Sequence, residues 1–176
     1  MQSKETENLV KKAKQKDPEA FTKLMQLYLK DMYKTALAIL MNDEDAADAI
    51  QDTILACWEK INTLKVTRYF KTWMTRILIN NCYKIRKNAG NTGLLEDYEE
   101  PAVYDAYNLE LKEALSSLDE KYRIIIVLFY SEGYRIHEIA EMLKIPKSTV
   151  QTRLKRGREK LARDYYGIQK GDESLC

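Results

Sequence analysis

Apolar residues along this chain recur at spacings of three and four, and no alternating pattern survives over the length of a strand. The spacing predicts a first helix from Glu5 to Lys16, with Leu9, Val10 and Ala13 on one side. Asp17-Pro18 is a start signal, because the aspartate can cap and proline suits the first helical position. The helix that follows aligns Phe21, Leu24, Met25, Tyr28, Met32, Ala36, Leu37 and Leu40, and stops near Asn42. A third opens on Asp43, Glu44 and Asp45, acids favoured at the positive end of the helix dipole. Its expected buried stripe is Ala47, Ile50, Ile54, Cys57, Trp58 and Ile61. After the short stretch NTLKVTR, a fourth helix from Tyr69 to Lys87 is expected to bury Phe70, Trp73, Met74, Ile77, Leu78 and Ile85.

From Asn88 to Tyr107 every periodic pattern breaks: two glycines, a proline and an acid run read as a linker. A shorter helical unit follows from Asn108 to Tyr166, with a frayed tail over 167–176. Within it Ser117 and Glu120 have capping-box spacing ahead of YRIIIVLFY, and Gly133 stands where a helix would end. The expected fold is all-α: two small helical modules, residues 1–87 and 108–166, joined by a flexible linker over 88–107.

The last part of the second module holds two helical patterns in close succession. Ile136, Ile139, Ala140 and Leu143 lie at i, i+3, i+4 and i+7, and Val150, Leu154, Gly157 and Leu161 form a second narrow stripe. Between them Lys-Ile-Pro-Lys forces a sharp turn, because Pro146 disfavours helix at Ile145. Ser148 or Thr149 can cap or line the start of the second helix. Its stripe leaves Ser148, Gln151, Thr152 and Lys155 outward, flanked by Arg153, Arg156 and Arg158. A helix of that width fits the major groove of duplex DNA, where short polar side chains reach base edges and cations neutralise phosphates. A charge run alone is more often a solvated helix face. The paired helices, the tight turn and the polar-then-basic order favour a helix-turn-helix.

Charge sharpens this reading. The net charge is only +2, but residues 1–87 carry 16 Lys/Arg against 11 Asp/Glu, 88–107 carry five acids and no base, and 144–163 carry eight bases against Glu159 alone. That asymmetry fits a nucleic-acid binder. Three cysteines and one histidine offer no metal-ligand spacing and no disulfide framework, so neither a metal nor another cofactor is expected. No signal core or long apolar run is present, which reads as a soluble protein of a reducing cytoplasm without membrane insertion.

The stretch EGYRIHEIAEMLKIPKSTVQTRLKRGREKL resembles the promoter-reading C-terminal domain of bacterial RNA polymerase sigma factors, in their extracytoplasmic-function group. In the first module, DEDAADAIQDTILACWEKI resembles the segment by which these factors grip the polymerase clamp. YFKTWMTRILINNCYKIRK resembles their minus-ten-reading helix, including Trp73, Arg76 and Asn80. The matches stand in the family's order and cover about Ala13 to Arg163. The resemblance implies a region 2 type four-helix module and a region 4 type helix-turn-helix module, acting without covalent chemistry. It assigns Ser148, Thr149, Gln151, Thr152, Arg153, Lys155 and Arg156 to the upstream, minus-thirty-five element. Asp48, Gln51 and Asp52 fall on the face that meets the clamp helices. The implied partners are polymerase core enzyme, through clamp helices and flap, promoter DNA, and a membrane-linked anti-sigma protein that releases the factor on an envelope signal.

The minus-ten surface also has a chemical reading. Surfaces that prefer single strands combine cations with aromatic faces on which bases stack. Lys65, Arg68, Lys71, Arg76 and Lys84 interleave there with Tyr69, Phe70 and Trp73, and Asn80 is nearby. Phe70 and Trp73 also fit the buried stripe, so Tyr69 and the cations are the better candidates. By resemblance, the NTLKVTR loop holds an unstacked base. Three departures from the family stand out: LKVTRYF stands where many members have a Gly-Glu-Ser type loop, so the base preference there does not carry over; Lys144 occupies a turn position where glycine is frequent; and Gly157 stands where alanine is usual. The rival readings are a free-standing helix-turn-helix regulator and an enzyme with an appended helix-turn-helix. The first module's own aromatic-basic surface argues against the former, and the lack of any α/β pattern against the latter.

Overall fold

The computed structural model describes residues 2–92 and 106–173, with side chains over 3–90 and 109–164. The acidic run therefore lies almost wholly outside the described residues. The chain forms two compact units, 1–94 and 95–176, and no strand occurs among the described residues.

In the first unit α1 (Gln2–Lys14), α2 (Pro18–Leu40), α3 (Asp43–Lys60) and α4 (Phe70–Thr92) surround one core. Asp17 caps α2 as its position predicts, accepting from the Glu19 and Ala20 amides at 3.0 and 3.1 Å. Asn42 caps α3 in the same way, accepting from the Asp45 amide at 2.9 Å. The first helix ends two residues short of Lys16, which turns into the left-handed region (φ 65°) while Lys12 O accepts from the Gln15 and Asp17 amides. Phe70, Leu24, Met32, Leu37, Ile61, Met74, Leu78 and Ile79 are the largest fully buried side chains of this core. Each stabilises the fold by about 1.5–3 kcal/mol relative to exposure.

The buried face of α3 is rotated from the expected one. Ala46, Ala49, Ile50, Thr53 and Cys57 are buried, Ala47 is exposed, and Ile54 and Trp58 are half-buried. The reason is that α3 lies against both α2 and α4; small residues at 46, 49 and 53 let two helices approach. Thr53 donates to Ala49 O at 2.6 Å and accepts from Asn81 Nδ2 at 3.0 Å, which satisfies its buried hydroxyl. On α4, Thr75, Ile79 and Cys82 are buried, while Trp73, Ile77 and Ile85 are half-buried. This helix also continues five residues past Lys87, since adding turns to a formed helix is easy even through Asn and Gly.

In the second unit α5 (Ala106–Ser116) leads into α6 (Glu120–Ile126), a wider π turn (Val127–Ser131), α7 (Ile136–Leu143) and α8 (Lys147–Glu173). The Ser117 capping box does not form: α6 begins on Asp119, whose carbonyl accepts from Tyr122 and Arg123, and Ser117 Oγ turns back to Ala114 O. The β-branched run ending α6 is a weak helix former, and the chain widens there until Gly133, in the left-handed region at φ 74°, reverses it. Leu118, Ile124, Ile125, Leu128, Ile139, Val150 and Leu154 form the core. The tail expected at 167 is helical through Glu173.

Candidate nucleic-acid and polymerase interfaces

The turn between α7 and α8 is a Schellman arrangement: Ile145 N donates to Ala140 O at 3.1 Å and Lys144 N to Glu141 O at 3.4 Å. Lys144 takes the left-handed position (φ 54°, ψ 44°) that glycine fills without strain. Pro146 then starts α8, its carbonyl accepting from the Thr149 and Val150 amides, so neither Ser148 nor Thr149 is the cap. At the other end of α7, Glu138 accepts from the Arg135 amide at 2.8 Å.

Val150, Leu154 and Gly157 turn one face of α8 inward. A Cβ on Gly157 would stand 3.1 Å from Ile126 Cγ1, so this glycine is what lets α8 lie close on α6. The opposite face exposes Ser148, Gln151, Thr152, Lys155 and Arg156, with Thr149 and Arg153 half-buried. Thr152 Oγ1 donates to Ser148 O at 2.9 Å, which leaves its oxygen as an acceptor toward a base amino group. Two further cations of the run, Arg158 and Lys160, are engaged within the unit. Arg158 donates to the Tyr130 hydroxyl at 3.4 Å, and Lys160 pairs with Asp119 at 3.5 Å above the Tyr122 ring.

In the first unit, Tyr69, Trp73, Arg76, Asn80 and Lys84 follow one another at steps of three and four along one face. Tyr69 is half exposed, Arg76, Asn80 and Lys84 are exposed, and Trp73 is half-buried against Phe70 with ring centroids 5.8 Å apart. Trp73 is thus only partly in the core, whereas Phe70 belongs to it fully. Arg68 lies over the Tyr69 ring at 4.8 Å and donates to its hydroxyl at 3.0 Å. Lys65 is exposed on the preceding loop.

Lys71 stands off the face from Tyr69 to Lys84 but shares a cavity with Arg68. It points to α2, pairing with Asp31 at 3.1 Å, and lines a cavity of about 450 Å³ with Thr6, Glu7, Tyr28 and Arg68. Burial is the main cause raising the Tyr28 hydroxyl above its ordinary pKa, with Lys71 opposing. Cys57 and Cys82 are buried and pushed up to about 12 by desolvation, so both remain unreactive thiols at neutral pH.

Asp48, Gln51 and Asp52 stand exposed on one face of α3. Leu55, 63% exposed, completes that face at the i+7 position from Asp48. Sequence reasoning passed over this residue, although its place outside the buried stripe was a usable signal. Asp43 is taken by the Tyr33 hydroxyl, which fits a structural role at the helix start.

The family described as Sigma-70 region 2 matches residues 24–92, and Sigma-70, region 4 matches residues 108–161. The chain is 31% identical over 172 residues to ECF RNA polymerase sigma factor SigW of Bacillus subtilis, covering 86% of this chain and 92% of that protein. It is 30% identical over 152 residues to ECF RNA polymerase sigma factor SigM of Mycobacterium tuberculosis, covering 84% and 78%. Its fold is like that of CnrH, solved in complex with the cytosolic domain of CnrY, with a TM-score of 0.69 at 24% identity over 93% of this chain and 98% of that one.

Proposed function

We propose the following division of labour for this chain, which belongs to the sigma-70 family of bacterial RNA polymerase sigma factors, in its extracytoplasmic-function group. As a sigma factor it directs polymerase core enzyme to promoters and initiates transcription. The Asp48, Gln51, Asp52 and Leu55 face of α3 docks on the clamp helices, and the second unit reaches the flap. The 61–69 loop and the outward face of α4 hold the melted minus-ten element. Lys65, Arg68, Arg76 and Lys84 supply cations there, and Tyr69 supplies a stacking face. Lys71 contributes through the field beside the loop, given its pairing with Asp31.

In the second unit α8 reads the upstream element from the major groove. Ser148, Gln151 and Thr152 face base edges, while Thr149, Arg153, Lys155 and Arg156 face phosphates. The acidic segment acts as a spacer between the units. With α4 ending at Thr92 and α5 starting at Ala106, the thirteen residues between them reach at most ~47 Å, against roughly 20 Å for a relaxed coil, so spanning two promoter elements stretches the segment.

The observation that carries this reading is the ordered pair of matched regions, each with an exposed face of the required chemistry. It also sets aside a free-standing helix-turn-helix regulator, which needs no region 2. CnrH and a Bartonella quintana RpoE were each solved with a bound partner, CnrY and the anti-sigma factor NepR. By analogy, a membrane-linked anti-sigma protein covers this chain in the cytoplasm until an envelope signal releases it. Among the described residues no helix is long and apolar enough to cross a membrane. Purified core plus this protein should yield transcripts from discrete promoters in a genomic fragment pool. Start sites no different from those of core alone would refute the proposal.

A further inference from the structure

The backbone between Lys60 and Phe70 is irregular: two 3-10 turns, Ile61–Thr63 and Thr67–Tyr69, separated by a bend. The turns close on short local bonds, Leu64 N to Ile61 O at 3.2 Å in the first, and Tyr69 N to Val66 O at 3.1 Å and Phe70 N to Thr67 O in the second. Such a segment has no ladder of its own to fix its shape, so its position must be imposed from outside. The outside support is α1, which lies against both turns. Val10 and Ala13 of α1 are fully buried, which docks it as a rod on the core. From the end of that rod Lys14 Nζ, half-buried, donates to Leu64 O at 2.6 Å, across fifty residues of sequence. Lys16 Nζ donates to Trp58 O in the last turn of α3 and lies 4.7 Å from the Trp58 ring. Near the second turn the Thr67 hydroxyl faces Glu7 Oε2 at 3.5 Å.

We propose that α1 is a positioning brace for the 61–69 loop and that Lys14 sets how sharply the loop discriminates among minus-ten bases. This rests on the reading of that loop as the minus-ten contact. The helix α1 precedes the span matched by region 2, so its role is not contained in that match. Lys14 bonds the backbone at the junction between the two turns, where a shift of the carbonyl moves Arg68 and Tyr69 together. Hydrogen bonds with an ionised partner are stronger than neutral ones. An ammonium is the donor suited to holding a carbonyl that no local amide reaches.

The test uses the full chain with core enzyme. Lys14→Met keeps most of the stem and removes the donor, Lys14→Arg restores a cationic donor, and Lys11→Met removes an exposed α1 charge as a control. Two readouts are needed: hydrogen exchange of the Leu64 to Tyr69 amides, and transcription on promoters altered at single minus-ten positions. Lys14→Met should speed loop exchange about tenfold, the scale of one charged hydrogen bond, and narrow the matched-to-mismatched ratio. Core binding should persist, Lys14→Arg should recover most of both effects, and Lys11→Met should show neither. Unchanged exchange in Lys14→Met overturns the brace and leaves the loop's promoter role standing. A loosened loop with unchanged base discrimination overturns both. An equal effect from Lys11→Met reduces the matter to general charge and also overturns the proposal.

Discussion

On α8 the outward side chains stand on a regular helix whose other face is fastened by Val150, Leu154 and Gly157. Around Arg68 and Tyr69 they stand on 3-10 turns whose backbone is held by α1. The contrast follows from the two proposed tasks. A duplex presents a groove of fixed width, and a rigid helix carrying short polar tips fills it. A melted strand presents bases in no fixed frame, so the protein must provide the frame, with cations and an aromatic face set on irregular backbone. In the proposed reading the first unit bears a second burden on α3, whose exposed acidic face, with Leu55 at its edge, would meet the polymerase. The second unit needs less core because it positions one helix; the first positions two surfaces and a loop.

The most severe way to break this comparison is to strip the first unit of one surface while keeping the other. If the acids of α3 pair with bases on core enzyme, Asp48→Arg with Asp52→Arg should lower affinity for core enzyme by about a hundredfold or more, since like charges set against one another cost several kcal/mol. The thermal melt should hardly move, because both side chains are exposed and engaged in no core contact. Normal retention of core in a pull-down would remove α3 from the interface.

Next in size is the single-strand face. Tyr69→Ala should slow promoter opening about tenfold, as expected for losing one stacking platform worth ~1–3 kcal/mol, read by permanganate footprinting of unpaired thymines. Binding of a duplex upstream element should be unaffected. Equal loss on both substrates would mean that the two units do not divide the DNA as proposed.

Smaller effects sharpen the picture within α8. Lys155→Ala should weaken duplex binding irrespective of sequence and flatten the salt dependence by about one unit. Gln151→Ala should instead relax base preference, by about 1 kcal/mol at one position. An unchanged motif in a binding-site selection with Gln151→Ala would end its assignment to base reading.

What could be read from the chain follows the same division. The two helices around Lys144-Ile145-Pro146 were legible because apolar periodicity and a single proline determine them locally. The outward set from Ser148 to Arg156 followed from that periodicity. The rotated face of α3 was not legible. Ala46 and Ala47 are chemically identical, and only the approach of both α2 and α4 decides which is buried. Lys71 was grouped with the loop cations because sequence shows its charge but not Asp31 across the helix pair. Lys14 was invisible as a support because its acceptor is a backbone carbonyl, which no residue type advertises. The helix-turn-helix resemblance anticipated glycine at Lys144. The structure keeps the left-handed geometry and leaves the strain in place.

The finest comparison sets one helical glycine in each unit against the other. Intrinsic propensity treats Gly90 and Gly157 alike, each costing up to about 1 kcal/mol relative to alanine. Their surroundings differ. A Cβ on Gly90 meets nothing within 4 Å, whereas on Gly157 it would stand 3.1 and 3.2 Å from Ile126 carbons and 3.4 Å from Tyr122 Cβ. Gly90→Ala should therefore stabilise the first unit by a few tenths of a kcal/mol, the full propensity term being reduced by its place near the end of α4. For Gly157→Ala the propensity gain is opposed by crowding, and overfilling a close contact costs roughly 1–3 kcal/mol. Ile126 can give by rotation, so the cost should fall at the low end of that range and nearly cancel the gain. Gly157→Val, with two more carbons directed at the same wall, should lower the melt of the second unit clearly. The measurement is thermal unfolding of the full chain with a probe in each unit. A Gly157→Ala variant gaining the whole propensity increment, with Gly157→Val unharmed, would show that α8 is not seated closely on α6. The groove-reading helix would then be held less firmly than the loop, reversing the order of rigidity argued for the two units.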